Sequence, residues 1–225
     1  MPILLKLAVD CLILAYDPAD NQLKILLIQR ENEPARGQWA LPGGFVDEPE
    51  EFAATAARKL RQETGVALGY LEQVRAYALT DPTAGQRLAS VAYYALLNFA
   101  DYAPAADRTH LARWFALADL PALPFDHGRK VQDTWQRLRE TARSRPVPLH
   151  LLPRKFPLNQ LQKFYEALYQ VPLDNRNFRK WVKGRPYIEA LAEVETNVSH
   201  RPSQLYQFQE AAYVAFLKAA QPTPY

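Results

Sequence analysis

The order of hydrophobic and polar residues predicts alternating strands and helices in the first two thirds of the chain. Two β-rich runs, Lys6–Tyr16 and Leu23–Gln29, are separated by a short polar segment typical of a turn. After Pro49, apolar residues recur at every fourth position, which predicts a helix with one apolar face. The later predicted elements are strands at Gln73–Leu79 and Ser90–Leu97 and a helix at Gly128–Thr141. Strands mixed with covering helices predict an α/β layered domain.

The composition changes near residue 145. The segment Thr141–Pro148 combines two prolines with polar residues, which predicts a linker. We therefore expect two domains, residues 1–145 and residues 146–225.

The second domain has the element order of a winged helix-turn-helix. Apolar residues at helical spacing predict a helix from Leu158 that ends before Pro172. Asp174 is a good N-cap for a second helix, and Gly184 is a good stop for it. Two strands, Tyr187–Val194 and Gln204–Phe208, follow and predict the hairpin of the wing.

Composition narrows the class of protein. With 225 residues and 48% hydrophobic content, the chain is long enough for a core in each of two domains. The single cysteine, Cys11, excludes an intrachain disulfide and fits a reducing compartment. The first residues lack the pattern of a signal peptide, and no apolar run is long enough to span a bilayer. We therefore expect a cytoplasmic protein with no membrane partner.

The net charge of +3 is small, but the basic residues are clustered. Residues 154–185 contain eight arginines and lysines and only two acidic residues. A local basic cluster on one domain is the expected electrostatic footprint of a phosphate-backbone partner.

The most specific motif is the segment Gly44–Val66, which follows Leu41-Pro42-Gly43. It resembles the Nudix box, G-x5-E-x7-R-E-U-x-E-E-x-G-U, where U is a bulky aliphatic residue. The residues in register with that pattern are Gly44, Glu50, Arg58, Leu60, Glu63, Gly65 and Val66. This resemblance implies a Nudix-type α/β/α sandwich with a mixed sheet.

The chemistry of the box is incomplete in this chain. Hydrolysis of a diphosphate uses Mg²⁺, which prefers clustered carboxylates, and positions 59, 62 and 63 share one helical face. Lys59 and Gln62 stand where the pattern has glutamate, and we expect Lys59 to pair with Glu63. We therefore assign no catalytic residue, metal or cofactor. Glu63 and Glu50 are the only candidate metal ligands, and Glu50 is expected to have an orienting role.

The second predicted helix of the C-terminal domain carries side chains suited to DNA. Arginine can form two hydrogen bonds with guanine, and asparagine with adenine, whereas lysines suit phosphates. A solvated cationic helix face is the alternative interpretation of the same residues. The candidate DNA-binding residues are Arg154, Lys155, Arg176, Asn177, Arg179, Lys180 and Arg201.

Several segments resemble the Nudix-related transcriptional regulators, the NrtR family and its relatives. They are Val91–Leu96, Pro124–His127, Phe156–Leu168, Pro172–Lys180 and Arg201–Phe208. The resemblance implies a homodimer on a palindromic double-stranded DNA operator, and DNA contacts by Arg176, Asn177, Arg179 and Arg201. It also implies a small effector in the Nudix domain, commonly ADP-ribose, with genes of NAD metabolism under control, and a sugar in related members. By position in the Nudix frame, the candidate effector-binding residues are Arg58, Glu63, Asp81 and Arg87, each of which could instead be a structural ion-pair partner.

The sequence is compatible with three functions. We favour a transcriptional regulator whose degenerate Nudix domain senses ADP-ribose, a related nucleotide sugar or a sugar. The alternative is a Mg²⁺-dependent Nudix pyrophosphohydrolase of ADP-ribose-like nucleotide sugars, which would need Glu63 and Glu50 to support the metal. The third is an inactive adaptor that binds a protein through its C-terminal domain.

Overall fold

The computed structural model describes residues 5–65, 71–80, 85–102, 112–196 and 201–220. The chain divides into two compact units: the first contains the chain up to Asp17 and Gln22–Leu151, and the second contains Pro18–Asn21 and the chain from Leu152 onward. No helix within these described ranges is both long and apolar enough to cross a membrane.

A mixed sheet forms the centre of the first unit. Its strands, among the described residues, are β1 Lys6–Asp17, β2 Gln22–Gln29, β3 Trp39–Ala40, β4 Gly43–Phe45, β5 Glu72–Thr80, β6 Arg87–Asn98 and β7 Ala112–Ala116. The strand order is β3-β2-β1-β6-β5, with β4 beside β1 and β7 beside β2. β1 pairs in parallel with β6 and antiparallel with β2, and its long apolar run fits a strand covered on both faces.

Helices cover both faces of this sheet. Among the described residues they include α1 Phe52–Thr64, α2 His127–Ser144 and the short α3 Pro148–Leu151. Because side chains alternate along a strand, neighbouring residues of β1 face different helices. Cys11 packs in one core cluster with Leu60 of α1, whereas Asp10 contacts Lys130 of α2. This arrangement confirms the predicted α/β/α sandwich with a mixed sheet.

Helix α1 forms where the box spacing predicts it. Its buried stripe is Thr55, Ala56, Leu60 and Thr64. Gly65 ends the helix in the left-handed conformation, with φ of 71°, and its N–H donates to the Arg61 carbonyl at 3.1 Å. Glycine adopts this conformation without the steric cost that a Cβ brings.

The segment predicted as a linker is partly helical. α2 continues to Ser144, and α3 begins at Pro148. Proline fits the first turn of a helix because that position needs no N–H donor. Val147 and Leu151 are buried, so this connection packs on the first unit instead of lying free in solvent.

The second unit is a winged helix. Its elements are β8 Lys155–Pro157, α4 Leu158–Tyr169, α5 Asn175–Lys183, β9 Ile188–Val194, β10 Gln204–Phe208 and α6 Glu210–Ala220. The three strands pair antiparallel in the order β8-β10-β9. Phe156, Leu161, Phe164 and Leu168 have at most 1% of their surface exposed and form the core with Phe178. The two helices and the hairpin are confirmed, while β8 and α6 were not predicted.

Candidate functional site

A cavity of about 900 Å³ opens in the first unit. Its walls come from β1, the loop after β2, β4, the end of α1, β6 and the start of α2. Cavities of this size hold ligands as large as nucleotides. The end of the Nudix-like box, at Gln62 and Glu63, is part of the lining.

Charged side chains with little exposure form the floor of the cavity. The Lys130 ammonium lies 2.6 Å from Asp10 Oδ2 and 2.7 Å from Asp126 Oδ1, and only 1% of the Lys130 side chain is exposed. The Ser90 hydroxyl donates to the same oxygen of Asp10. Burial raises the pKa of Asp10, but hydrogen bonds from His127 and Lys130 and the lysine charge outweigh it and hold that pKa well below its usual range. The Asp10 carboxylate is therefore ionised.

His127 links the approach to the box with this floor. Its Nδ1 accepts a hydrogen bond from the Leu41 N–H at 3.1 Å, so Nδ1 carries no proton. The proton is on Nε2, which lies 3.3 Å from Asp10 Oδ1. Because both ring nitrogens have partners, His127 holds the Leu41 backbone beside β1.

Glu63 faces the cavity from the end of α1. Its Oε2 accepts a hydrogen bond from the Gly43 N–H at 2.9 Å, and burial is the main cause that raises the pKa of Glu63. A Cβ at position 43 would lie 2.2 Å from the Val9 carbonyl oxygen, so only glycine allows this approach of β4 to β1.

Glu50 is bound within the box and does not face the cavity. Arg58 holds it with Nη2 at 2.5 Å from Oε2 and Nε at 2.9 Å from Oε1, and Thr55 Oγ1 donates to it at 2.7 Å. The Arg58 hydrogen bonds, and then the Thr55 bond, lower the pKa of Glu50 from 4.5 to about 2. Arg58 also contacts Asp47 at 2.8 Å. Arg58 and Thr55 therefore hold Glu50 in place, and its orienting role stays a prediction.

The Glu50–Arg58 pair makes stability depend on pH. The folded-state pKa of Glu50 is depressed, so its contribution is fully present above pH 4.5 and is lost as the pH falls towards about 2. We expect Glu50→Gln to lower the urea midpoint most at neutral pH, with the difference from wild type shrinking below pH 4.5. Glu48→Gln, which removes an exposed neighbouring carboxylate, is the control. A Glu50→Gln deficit that stays constant with pH would contradict this assignment.

The remaining donors do not fit Mg²⁺, the metal that a Nudix box implies. Glu50 is bound by Arg58 and Thr55, and one oxygen of Glu63, Oε2, accepts a hydrogen bond from the Gly43 N–H. The expected Lys59–Glu63 ion pair is also not formed: among the described residues, no carboxylate lies within 4 Å of the Lys59 ammonium. The part of the chain that the structure describes contains no group of three His, Cys, Asp or Glu side chains that could hold a metal.

The predicted effector residues occupy different places. Glu63 lines the cavity, whereas Arg58 and Arg87 are not among its lining residues. Arg87 is exposed at the start of β6, and Asp81 lies outside the described residues. Direct roles for Arg58, Asp81 and Arg87 stay predictions.

Two exposed aromatic rings that no sequence motif indicates lie at the cavity. Phe45 is 52% exposed and Phe125 is 46% exposed, and both line it. The Arg30 guanidinium lies 5.1 Å from the centre of the Phe125 ring, and the Lys6 ammonium 5.4 Å from that of Phe45. Exposed aromatic side chains beside cations suit a flat, anionic ligand.

Helix α5 of the second unit carries a basic, exposed face. The Asp174 side chain caps it by accepting from the Asn177 N–H at 2.8 Å, as predicted. Phe178 and Val182 are buried, which turns the rest of the helix to solvent. The exposed candidate DNA-binding residues of α5 are Arg176, Asn177, Arg179 and Lys180.

The other candidate DNA contacts lie outside α5. Lys155 on β8 forms an exposed ion pair with Glu193 of β9, with Nζ 2.6 Å from Oε2. Such a pair contributes little to stability, so Lys155 can exchange it for a phosphate. Arg154 and Arg201 are exposed. Their contacts to DNA stay predictions.

A Nudix-type domain with a ligand-sized cavity, joined to a basic winged helix, defines a ligand-responsive DNA-binding protein. Residues 5–136 match the NUDIX domain family, and residues 148–208 match the NrtR DNA-binding winged helix domain. The chain is 37% identical over 212 residues to the ADPR responsive transcriptional repressor NtrR of Acinetobacter baylyi, which covers 90% of this chain and 81% of that protein. The chain belongs to the NrtR family of Nudix-related transcriptional regulators.

Solved structures agree with this assignment. The structure of Shewanella oneidensis NrtR complexed with a 27mer DNA is similar with a TM-score of 0.80 and 31% identity, covering 92% of this chain and 95% of that one. The NUDIX domain of the same protein, complexed with ADP ribose, is similar with a TM-score of 0.50 and 33% identity, over 61% of this chain and 90% of that one.

Proposed function

We propose that this regulator binds a double-stranded DNA operator through its winged helix and changes its operator affinity when ADP-ribose occupies the Nudix cavity. One observation carries the proposal: the same chain combines a large cavity beside a box reduced to Glu63 with an exposed basic helix, α5. A ligand changes DNA affinity only if it binds one state of the protein better than another.

Three features support ADP-ribose as the effector. A volume of about 900 Å³ fits a nucleotide sugar, and a single pentose would fill only a small part of it. The Phe45 and Phe125 rings can stack on a base, and Arg30 and Lys6 add positive charge for a diphosphate. The A. baylyi relative is named ADPR responsive, and the S. oneidensis domain was crystallised with ADP ribose.

The donor set of the box supports binding without turnover. Diphosphate hydrolysis by a Nudix-type site needs a metal to neutralise the phosphoryl oxygens and activate water. Lys59 and Gln62 provide no carboxylate, and both Glu50 and Glu63 are already hydrogen-bonded. We infer that the protein is not an enzyme and needs no cofactor.

The DNA-bound species is proposed to be a cytoplasmic homodimer on a palindromic operator. The resemblance to the family supports this, since a twofold protein matches a twofold site. Enrichment of a palindrome from a random duplex library would identify the operator for the experiments below.

ADP-ribose is expected to change the dissociation constant for a labelled operator duplex by about 5- to 150-fold, the usual range for coupled sites. Fluorescence polarisation measures the change, and chromatography of the same samples tests for hydrolysis. Arabinose and ribose are the control ligands. An effect of arabinose alone would identify a sugar effector, and hydrolysis that requires Mg²⁺ and is abolished in Glu63→Gln would establish the enzyme instead.

A further inference from the structure

Lys59 is the strongest departure from the Nudix pattern, because it places a positive charge where the pattern has a negative one. It occupies a box position where the pattern has glutamate, and its half-buried side chain folds back against β4. If Gly44 carried a Cβ, that atom would lie 2.9 Å from Lys59 Cε and 3.2 Å from Nζ. The ammonium therefore occupies the space that a side chain at position 44 would fill. Lys59 itself is not among the lining residues of the cavity, but its ammonium lies beside Gly44, which is.

Within the described part of the chain, this ammonium has no close counter-ion. No carboxylate of the described residues lies within 4 Å of Lys59 Nζ, although Arg58, the preceding residue, pairs with both Glu50 and Asp47. Placing a charge in a partly buried position without a partner costs free energy. An anionic group of a ligand at Gly44 would supply that partner.

The charge of Lys59 nevertheless reaches both remaining box carboxylates. It lowers the pKa of Glu63, after the larger effects of burial and the Gly43 hydrogen bond, and it lowers that of Glu50 as the smallest of several causes. A bound metal would act on the same two groups with the same sign. Lys59 thus supplies positive charge where a metal-dependent box would hold its cation.

We propose that the Lys59 ammonium takes the place of the divalent cation, so that the cavity binds the diphosphate of its effector without Mg²⁺. This inference rests on the proposed function, since it takes ADP-ribose as the ligand. Lysine binds phosphates as a point charge and needs no carboxylate ligands around it. The lack of carboxylate ligands for Mg²⁺ in the box is then consistent with a diphosphate that is bound by an ammonium instead of a metal.

An ammonium in place of a metal ion allows the diphosphate to bind but not to be hydrolysed. An ammonium neutralises phosphate charge, but it has no coordination site on which water could be bound and lose a proton. Gln62, on the cavity wall, is neutral and also cannot act as a base. The protein can therefore hold an intact diphosphate.

Calorimetric titration of the full chain with ADP-ribose, in excess MgCl₂ and in EDTA, tests the inference. For the wild-type protein we expect dissociation constants equal within about twofold, because no coupling to metal is present. Lys59→Gln is expected to weaken binding by about 10-fold or more in both buffers, since it removes a charge-assisted contact. Lys59→Glu is expected to bind poorly in EDTA and to regain affinity in MgCl₂, since it restores a carboxylate.

Arg61→Gln is the matched control, because it removes an exposed positive charge from the same helix and is expected to leave binding unchanged. Circular dichroism of each variant checks that α1 is intact. Wild-type binding only in MgCl₂, or Lys59 variants that bind like wild type in EDTA, would overturn the inference and leave the proposed effector standing. Absence of ADP-ribose binding in either buffer would instead refute the proposed effector.

Discussion

Replacing Lys130 with methionine is expected to lower the free energy of unfolding of the first unit by about 3–5 kcal/mol at neutral pH. The Lys130 ammonium is the shared partner of Asp10 and Asp126, at 2.6 and 2.7 Å, and is almost fully buried. Methionine fills a similar volume but leaves two carboxylates with little exposure without their cation. The cost of such a change comes mainly from the uncompensated charges.

The pH dependence of this deficit provides a second readout. In the wild-type protein the pKa of Asp10 is depressed, so its stabilisation is fully present above its unfolded pKa of 3.8 and is lost as the pH falls from there towards the folded pKa. In Lys130→Met the His127 hydrogen bond still lowers the pKa of Asp10, but the lysine no longer adds to it. The folded pKa of Asp10 is therefore higher than in the wild-type protein, and protonation relieves the unpaired charge. The deficit should therefore be largest near neutral pH and shrink towards about pH 4.

Urea unfolding of Lys130→Met at several pH values measures both effects. The control is Arg129→Met in the same helix, where the side chain is 65% exposed and lies 3.9 Å from Asp133. That change is expected to cost less than about 0.5 kcal/mol. A Lys130→Met deficit as small as the control would mean that the Asp10–Lys130–Asp126 contacts do not stabilise the fold.

The elements that the sequence predicts are those whose signal is local. Helix α1 follows from apolar residues at every fourth position and from Gly65 as its stop, and both are read within one segment. Strands β1 and β2 were predicted to within one residue at each end, because their apolar runs are long. The Asp174 cap likewise depends only on its own helix.

The missed elements depend on distant parts of the chain. β3 and β4 have two and three residues, too few for a period to appear, and exist because β2 and β1 offer them an edge. β7 pairs with β2, which lies far from it in sequence. The predicted linker became helical at α3 because Val147 and Leu151 find an apolar surface to pack on.

The candidate site likewise combines residues that a local motif identifies with residues that only the folded structure brings together. Lys59, Gln62 and Glu63 could be assigned from box spacing alone, and the structure places Glu63 on the cavity wall. The charged floor of the cavity could not be assigned from the sequence, because Asp10 and Lys130 are 120 positions apart and neither lies in a recognisable motif. Their pairing is visible only when β1 and α2 are packed on one another. The prediction of a Lys59–Glu63 ion pair was wrong. Helical spacing describes only contacts within one helix, whereas the Gly43 N–H, which belongs to β4, donates a hydrogen bond to Glu63.

Operator affinity is expected to fall by about 1000-fold between 50 and 200 mM salt, which corresponds to roughly six phosphate contacts. The winged helix supplies enough exposed cations for this without Arg176, since Arg154, Lys155, Arg179, Lys180, Lys183 and Arg201 are all at the surface. Each phosphate neutralised releases condensed counterions, so the logarithm of the affinity falls linearly with the logarithm of the salt concentration. Fluorescence polarisation at several salt concentrations measures the slope.

Variants of α5 distinguish residues that contact bases from residues that contact phosphates. Lys180→Ala is expected to weaken binding to every duplex about equally and to reduce the slope by about one, because one phosphate is no longer neutralised. Arg176→Ala is expected to cost about 1–3 kcal/mol on the operator and much less on a scrambled duplex, since a base edge is read only in the correct sequence. Arg36→Ala, which removes an exposed charge from the first unit, is the control. If Arg176→Ala weakens operator and scrambled duplex equally, Arg176 contacts the backbone, and sequence reading belongs to other residues of the winged helix.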